Sequence, residues 1–308
     1  MCIICRGEVD ENTTVLDCSN CTKLTQLPFY PNLILLNCSG CTKLIQLPSF
    51  LNLTVLRCID CTRLTHLTSL PMLIKLYCSG CTRLTQLSYY PLLKELHCPE
   101  CSDLTQLPSF PNLTILNCFN CTKLTQLPLY PLLTILYVSH CPSLTRLPFY
   151  SLIKTLNILH CKGLTQLPCY PFLEELCCYN CTELAELPCY PNLILLTCSN
   201  CTKLTEFPLY PGLIKLYCSN CPGLAQLPSY PLLTTLHCSN CINLFRLTKA
   251  SSINNIAGTA YKKYHKTYPY LKRFIHKYRN YVKCICILVL YNPELKDMAK
   301  RILYYALR

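Results

Sequence analysis

The chain has 308 residues, with 28 Lys and Arg against 15 Asp and Glu, 29 cysteines, 23 prolines and seven glycines. No run of about eighteen apolar residues occurs, which argues against a helical membrane span, and the opening Met-Cys-Ile-Ile-Cys-Arg-Gly-Glu lacks the basic start and apolar run of a secretory signal. The charge is uneven: residues 1–250 hold 16 basic against 13 acidic groups, whereas residues 251–308 hold 12 against 2.

Residues 1–10 precede any regular pattern and are read as an N-terminal lead or cap. Cys2 and Cys5, taken with Cys18 and Cys21, give C-x2-C-x12-C-x2-C. That spacing suits one zinc ion in a small module closing the N-terminal end. Cys18 and Cys21 also have a second explanation in the repeat that follows, so no metal is assigned here and the zinc module stands as the alternative.

Residues 11–250 are twelve copies of one 20-residue unit without insertion or deletion, and every twentieth residue from Cys21 to Cys241 is cysteine. In register the units read P-x-L-x-x-L-x-C-S-x-C-T-x-L-T-x-L-P-x-Y, and the copy from Pro111 to Tyr130 is close to that consensus. A fixed short period means a stack in which each unit meets only its neighbours. Around Leu116-x-Cys118 the alternation of inward and outward residues is that of a short strand. Stacked units then form a parallel sheet with strands about 4.8 Å apart, roughly 55 Å for twelve of them. Pro128 and Pro131 forbid a helix on the opposite side, so extended backbone is expected there.

The segment Leu113-x-x-Leu116-x-Cys118-x-x-Cys121-x-x-Leu124 resembles the constant half of a leucine-rich repeat, L-x-x-L-x-L-x-x-C-x-x-L, with cysteine in place of the third leucine. The resemblance covers residues 11–250. The short Pro-rich remainder is similar to the 20-residue repeats of bacterial effector proteins and to cysteine-containing repeat proteins of large viruses of amoebae. It implies a repeat solenoid that is mainly β, a parallel-sheet leucine-rich repeat with an extended convex side, and the residues after it are read from their own pattern as a small α-helical C-terminal region. It also implies a protein partner on the concave face. Bacterial effectors with such repeats can carry a large ubiquitin-ligase domain with a catalytic cysteine. The 58 residues after position 250 are too few to match it.

Twenty-two of the cysteines fall in two columns of the repeat, so they follow the fold rather than pairing two by two. Val138 and Ile158 stand in the first column, which marks it as core. The second column takes the place of the polar ladder in the resembled family, its thiols reaching backbone groups of the turn. Metal or redox use is the competing reading. Without a signal sequence the thiols are expected free in a reducing compartment, and the chain in the cytoplasm (of the host, if viral).

Leucine fills the Leu124 column in all twelve units, but the Asn117 column runs from Asp17 and Arg57 to Tyr217 and His237. This column faces out by strand alternation. A fixed scaffold with a changing face suits recognition, although solvent-facing positions also drift without purpose. The aromatic and imidazole content favours recognition. The candidate partner-binding residues are Arg57, Tyr77, Lys94, Glu95, His97, Ile115, Asn117, Ile135, Tyr137, Glu175, Tyr217 and His237. None of His66, His97, His140, His160 and His237 joins an acid and a nucleophile in the repeat frame, and no glycine-rich phosphate loop occurs. The chain is therefore expected to be non-enzymatic, with no cofactor and no small-molecule substrate.

Residues 251–308 leave the repeat, and helices are expected at about 253–267, 270–289 and 293–307, the last opened by Asn292, Pro293 and Glu294. In the middle one Lys272, His276, Arg279 and Lys283 run beside an apolar stripe. The segment reads as a basic C-terminal cap, and alternatively as a contact for anionic membrane or nucleic acid. A ubiquitin-ligase adaptor built on the N-terminal zinc module is the other alternative.

Overall fold

The structure is a computed structural model that describes residues 3–7, 9–244, 246–247 and 255–257. The chain forms two compact units, Met1–Leu164 and Thr165–Arg308.

The first unit opens with the four-residue helix α1 (Ile3–Arg6) and continues with eight strands: β1 (Val15–Asp17), β2 (Leu35–Asn37), β3 (Val55–Arg57), β4 (Lys75–Tyr77), β5 (Glu95–His97), β6 (Ile115–Asn117), β7 (Ile135–Tyr137) and β8 (Thr155–Asn157). They pair in chain order, all parallel, each residue opposite the one twenty places on, as in Leu96↔Leu116 and Leu116↔Leu136. The helix was not expected from the sequence.

The second unit contains β9 (Glu175–Cys177), β10 (Leu195–Thr197), β11 (Lys215–Tyr217), β12 (Gln226–Leu227), β13 (Thr235–His237), β14 (Arg246–Leu247) and β15 (Asn255–Ala257). Strands β9, β10, β11, β13 and β15 continue the same parallel pairing. β12 and β14 pair on their own, so the side opposite the main strands is extended enough to form a short ladder. β15 corrects one expectation. Its three residues lie where a helix was expected to start, and they pair in register with β13. The reason is visible afterwards: Ile253-x-x-Ile256 repeats the Leu233-x-x-Leu236 spacing twenty residues on. The rest of the expected helical segment lies outside the described residues.

Each coil is closed by two reverse turns. The Leu133 N–H donates to the Tyr130 carbonyl at 3.2 Å and the Leu124 N–H to the Cys121 carbonyl at 3.1 Å. Pro131 occupies the second position of the first turn, where its fixed φ is favoured. Between them, residues 125–130 have neither helix nor strand, as the prolines require. Beyond each strand the hydrogen bonding runs on, with Cys118 N–H donating to Tyr137 O at 2.9 Å and Asn120 N–H to Ser139 O at 2.8 Å.

The Asn120 column turns the chain with positive φ in all twelve copies, from 56° to 73°. Asn, Asp and Gly tolerate this left-handed geometry best, and they hold nine of the twelve positions; Glu100, His140 and His160 hold the others. At Gly40 a Cβ would also strike the Asn20 side chain.

In the coil of residues 111–130 four leucines and the paired cysteines are buried, as expected; Leu113, Leu116, Cys118, Cys121 and Leu124 are 0% exposed. The sequence reading missed a further core column, Tyr30, Phe50, Leu70, Tyr90, Phe110, Tyr130 and their successors as far as Tyr230, all buried. Its rings stack in parallel about one coil apart: Phe110 and Tyr130 have centroids 6.3 Å apart, and so do Tyr130 and Tyr150. The phenols are satisfied by a carbonyl of the preceding coil, Tyr130 OH donating to Pro108 O at 3.1 Å and Tyr150 OH to Pro128 O at 3.0 Å. Burial pushes the Tyr130 and Tyr150 hydroxyls far above the usual phenol range, so they stay protonated donors.

The second cysteine column behaves as the ladder reading required. Cys61 Sγ donates to Cys38 O at 3.2 Å, Cys81 Sγ to Cys58 O at 3.0 Å and Cys101 Sγ to Cys78 O at 3.1 Å. Each thiol thus ties one coil to the turn of the coil before it. In the first column the thiol is pushed up, at Cys118 by its contact with Cys141 and then by burial. Among the described residues no buried side-chain nitrogen or oxygen lacks a hydrogen-bond partner.

Candidate partner-binding face

A three-residue strand with a buried centre presents its two outer residues to the other side of the sheet. In β4, β5, β6 and β7 the central leucine is buried and both neighbours are half-buried. In-register pairing then lines up residues twenty apart, so ring and charge contacts form along the stack.

In the first unit this brings four of the expected residues together. The Arg57 guanidinium lies 4.6 Å over the Tyr77 ring, a cation–π geometry. The Tyr77 ring stacks on His97 with centroids 4.9 Å apart and planes 11° apart. Lys75 Nζ lies 2.8 Å from Glu95 Oε1, and Tyr77 OH donates to Glu95 Oε2 at 3.2 Å. Glu95, on β5, is thereby held by two residues of β4. The Lys75 ammonium lowers the Glu95 carboxyl below its ordinary value and is itself raised by it. Burial lowers His97, partly offset by the Glu95 charge, which keeps its imidazole neutral in the stack.

Further along, Ile115 and Ile135 are neighbours in register on β6 and β7, as are Asn117 and Tyr137, all half-buried. The Asn117 side chain is turned inward to its own backbone, accepting from Phe119 N–H at 3.2 Å. Lys94 precedes β5 and is exposed; its carbonyl accepts from the Thr114 hydroxyl at 3.0 Å. At the end of β1, Asp17 accepts from Ser19 N–H and from the Asn37 amide, each at 2.9 Å, which lowers its carboxyl.

In the second unit Tyr217 and His237 repeat the stack, 4.9 Å apart. Glu175 is exposed on β9. Beside it Cys177 is half-buried, its thiol pushed up by burial.

Sequence reasoning did not find Lys75 as the partner of Glu95. Nor did it find the pair His140 and His160, whose rings stack 4.3 Å apart with Phe119 edge-on to His140 at 5.0 Å. The signal was available: residues twenty apart in one outward column touch.

The other expected site residues belong to the two ends. Lys272, His276, Arg279 and Lys283 lie outside the described residues, as does Cys2. Cys18 is buried, and Cys5 Sγ lies 3.5 Å from Cys21 Sγ. Among the described residues no group of three or more His, Cys, Asp or Glu is placed to hold a metal ion, and no helix is long and apolar enough to cross a membrane.

The coil of one short parallel strand, a thiol ladder at the turn after it and an extended return is that of a mainly β leucine-rich repeat solenoid. The chain resembles leucine-rich repeat proteins. Solved structures similar to it include a leucine-rich repeat protein from Bacteroides ovatus ATCC 8483 (16% identity, 77% of this chain and 76% of that one, TM-score 0.48). Another is the functional domain of InlJ from Listeria monocytogenes, which includes a cysteine ladder (22% identity, 75% and 55%, TM-score 0.34). A third is YopM from Yersinia enterocolitica WA-314 (19% identity, 82% and 93%, TM-score 0.24). No protein-family model matches the chain, and no curated protein does.

Proposed function

We propose that the chain is a non-enzymatic protein-interaction scaffold that binds a protein partner on the outward face of its parallel strands, with residues 11–250 as the recognition array. The observation that carries this reading is the Arg57–Tyr77–His97 stack, braced by the Lys75–Glu95 pair. It is a pre-ordered aromatic and cationic surface on a rigid sheet, flanked by half-buried Ile115 and Ile135. Such surfaces lose little side-chain entropy on binding, and aromatic and Arg side chains dominate the energetics of protein interfaces. The columns beneath, by contrast, are almost wholly leucine, cysteine and stacked aromatic rings.

The test is capture of partners by the full chain and by variants carrying Tyr77→Ala, Tyr137→Ala or Arg57→Ala. None of these side chains is fully buried, so folding is retained and far-ultraviolet circular dichroism is unchanged. Partners specific to the wild type are lost from the variants, each truncation costing about 2 kcal/mol or more if it is a hot spot. Identical partner sets for wild type and all three variants refute the assignment of the face.

A further inference from the structure

The thiol ladder begins differently from the way it continues. From Cys41 to Cys161 each rung donates to a carbonyl of the coil before it, as Cys41 Sγ does to Cys18 O at 3.2 Å. Cys21 stands in the first coil of the array, and its sulfur lies 3.5 Å from that of Cys5, in α1. The two thiols are also the reachable end of the ladder. Cys5 is exposed and Cys21 is 7% exposed, whereas the same column from Cys41 to Cys161 is 0% exposed.

We propose that Cys5 and Cys21 are a redox pair whose disulfide fastens α1 to the first coil. The oxidant class is a hydroperoxide, with hydrogen peroxide the simplest member. The Cys5 thiolate attacks one peroxide oxygen, the O–O bond breaks, and after proton uptake water leaves and Cys5 becomes a sulfenic acid. The Cys21 thiol then attacks the Cys5 sulfur. The S–O bond breaks, a second water departs with the Cys21 proton, and the S–S bond forms. Two electrons pass from the two sulfurs to the peroxide, and a small dithiol reductant reverses the change.

Geometry makes this pair the favoured one. The sulfurs need to approach by only about 1.5 Å to reach a bond of about 2.05 Å. One of them rides on a four-residue helix eight residues from the nearest strand, so the approach leaves the core untouched. Thiols within the ladder sit on stacked coils, and moving one toward the next displaces a strand from its register. The bond would close a loop of residues 5–21 at β1, which has a single strand neighbour among the described residues. An uncovered sheet edge is where fraying and unwanted strand pairing begin.

The experiment uses the full chain, purified reduced and treated with hydrogen peroxide at low molar excess. Free thiols are then alkylated, the protein digested with trypsin and the peptides sequenced by mass spectrometry. Cleavage after Arg6 and Lys23 makes the linked product a joined pair of residues 1–6 and 7–23. Fragmentation is expected to place the bond between Cys5 and Cys21. The product persists in Cys2→Ser and is lost in Cys5→Ser, and oxidation raises the thermal midpoint of the wild type but not of Cys5→Ser. A bond mapping to Cys2 or Cys18 overturns the proposal. So does Cys5 ending as a sulfinic acid with Cys21 still alkylated, or both thiols surviving. Bound zinc in the reduced protein that vanishes in Cys5→Ser, with no linked peptide on oxidation, also overturns it and assigns Cys5 to a metal. Partner capture by the strand face is read separately and is independent of each of these outcomes.

Discussion

Exchanging Glu100 for Asn stabilises the chain, and exchanging Asn120 for Ala destabilises it. Both positions turn the backbone with positive φ, 61° and 56°. Neither can relax, because its N–H is committed to the next coil: Glu100 to Phe119 O at 2.7 Å and Asn120 to Ser139 O at 2.8 Å. The left-handed conformation costs an ordinary L-residue roughly 1–2 kcal/mol, and Asn escapes much of this through local hydrogen bonding of its short side chain. Each exchange therefore changes stability by about 1 kcal/mol, with opposite signs. With a urea dependence of about 1–3 kcal/mol per molar, the midpoint shifts by roughly 0.3–1 M. Urea titration of the full chain followed by circular dichroism reads this directly. Gly40→Ala falls further than Asn120→Ala, since its Cβ also meets Asn20. A Glu100→Asn midpoint at or below wild type, or an Asn120→Ala midpoint equal to it, refutes the claim that this turn is strained.

Leu116→Ala removes a fully buried side chain from the centre of β6 and lowers stability by about 2–5 kcal/mol in the same titration. Tyr130→Phe keeps the ring in its stack and loses only the hydroxyl that donates to Pro108 O; it costs about 1 kcal/mol, and Phe110 shows that a phenyl ring fits the column. Stability also depends on pH in a defined direction. His97 and His160 are lowered, chiefly by burial, so below about pH 6.5 the unfolded chain takes up protons that the folded chain refuses. Their contribution is complete above that pH and is lost as pH falls toward their folded values. The lowered carboxyls of Asp17 and Glu95 add stability present above about pH 4 and lost as pH falls through their folded values. Thermal midpoints from about pH 8 to pH 3 are expected to fall in two steps, and His97→Asn with His160→Asn to flatten the upper one.

Period, strand position and the inward leucine and cysteine columns were legible in the sequence, because twelve copies state each requirement twelve times. A single Leu116 says little, but leucine every twenty residues says that this position always faces inside. The prolines at 128 and 131 likewise excluded a helix from local chemistry alone. Pieces present in one copy were not legible. Helix α1 is too short to leave a periodic signal, and the Ile253-x-x-Ile256 spacing that forms β15 was read as the start of a helix. The aromatic column went unrecognised as core because tyrosine carries a polar group; only the coil geometry shows a carbonyl waiting for each hydroxyl.

The amino-acid sequence by itself determined how each coil folds and which columns turn inward, since these follow from backbone sterics and apolar periodicity within twenty residues. The tertiary structure alone decided which outward residues meet. Contact between Arg57, Tyr77 and His97, between His140 and His160, or between Cys5 and Cys21 depends on the register and rotamers of different coils. That information lies in the stacking of coils, where hydrogen bonds between strands fix the distance from one side chain to the next.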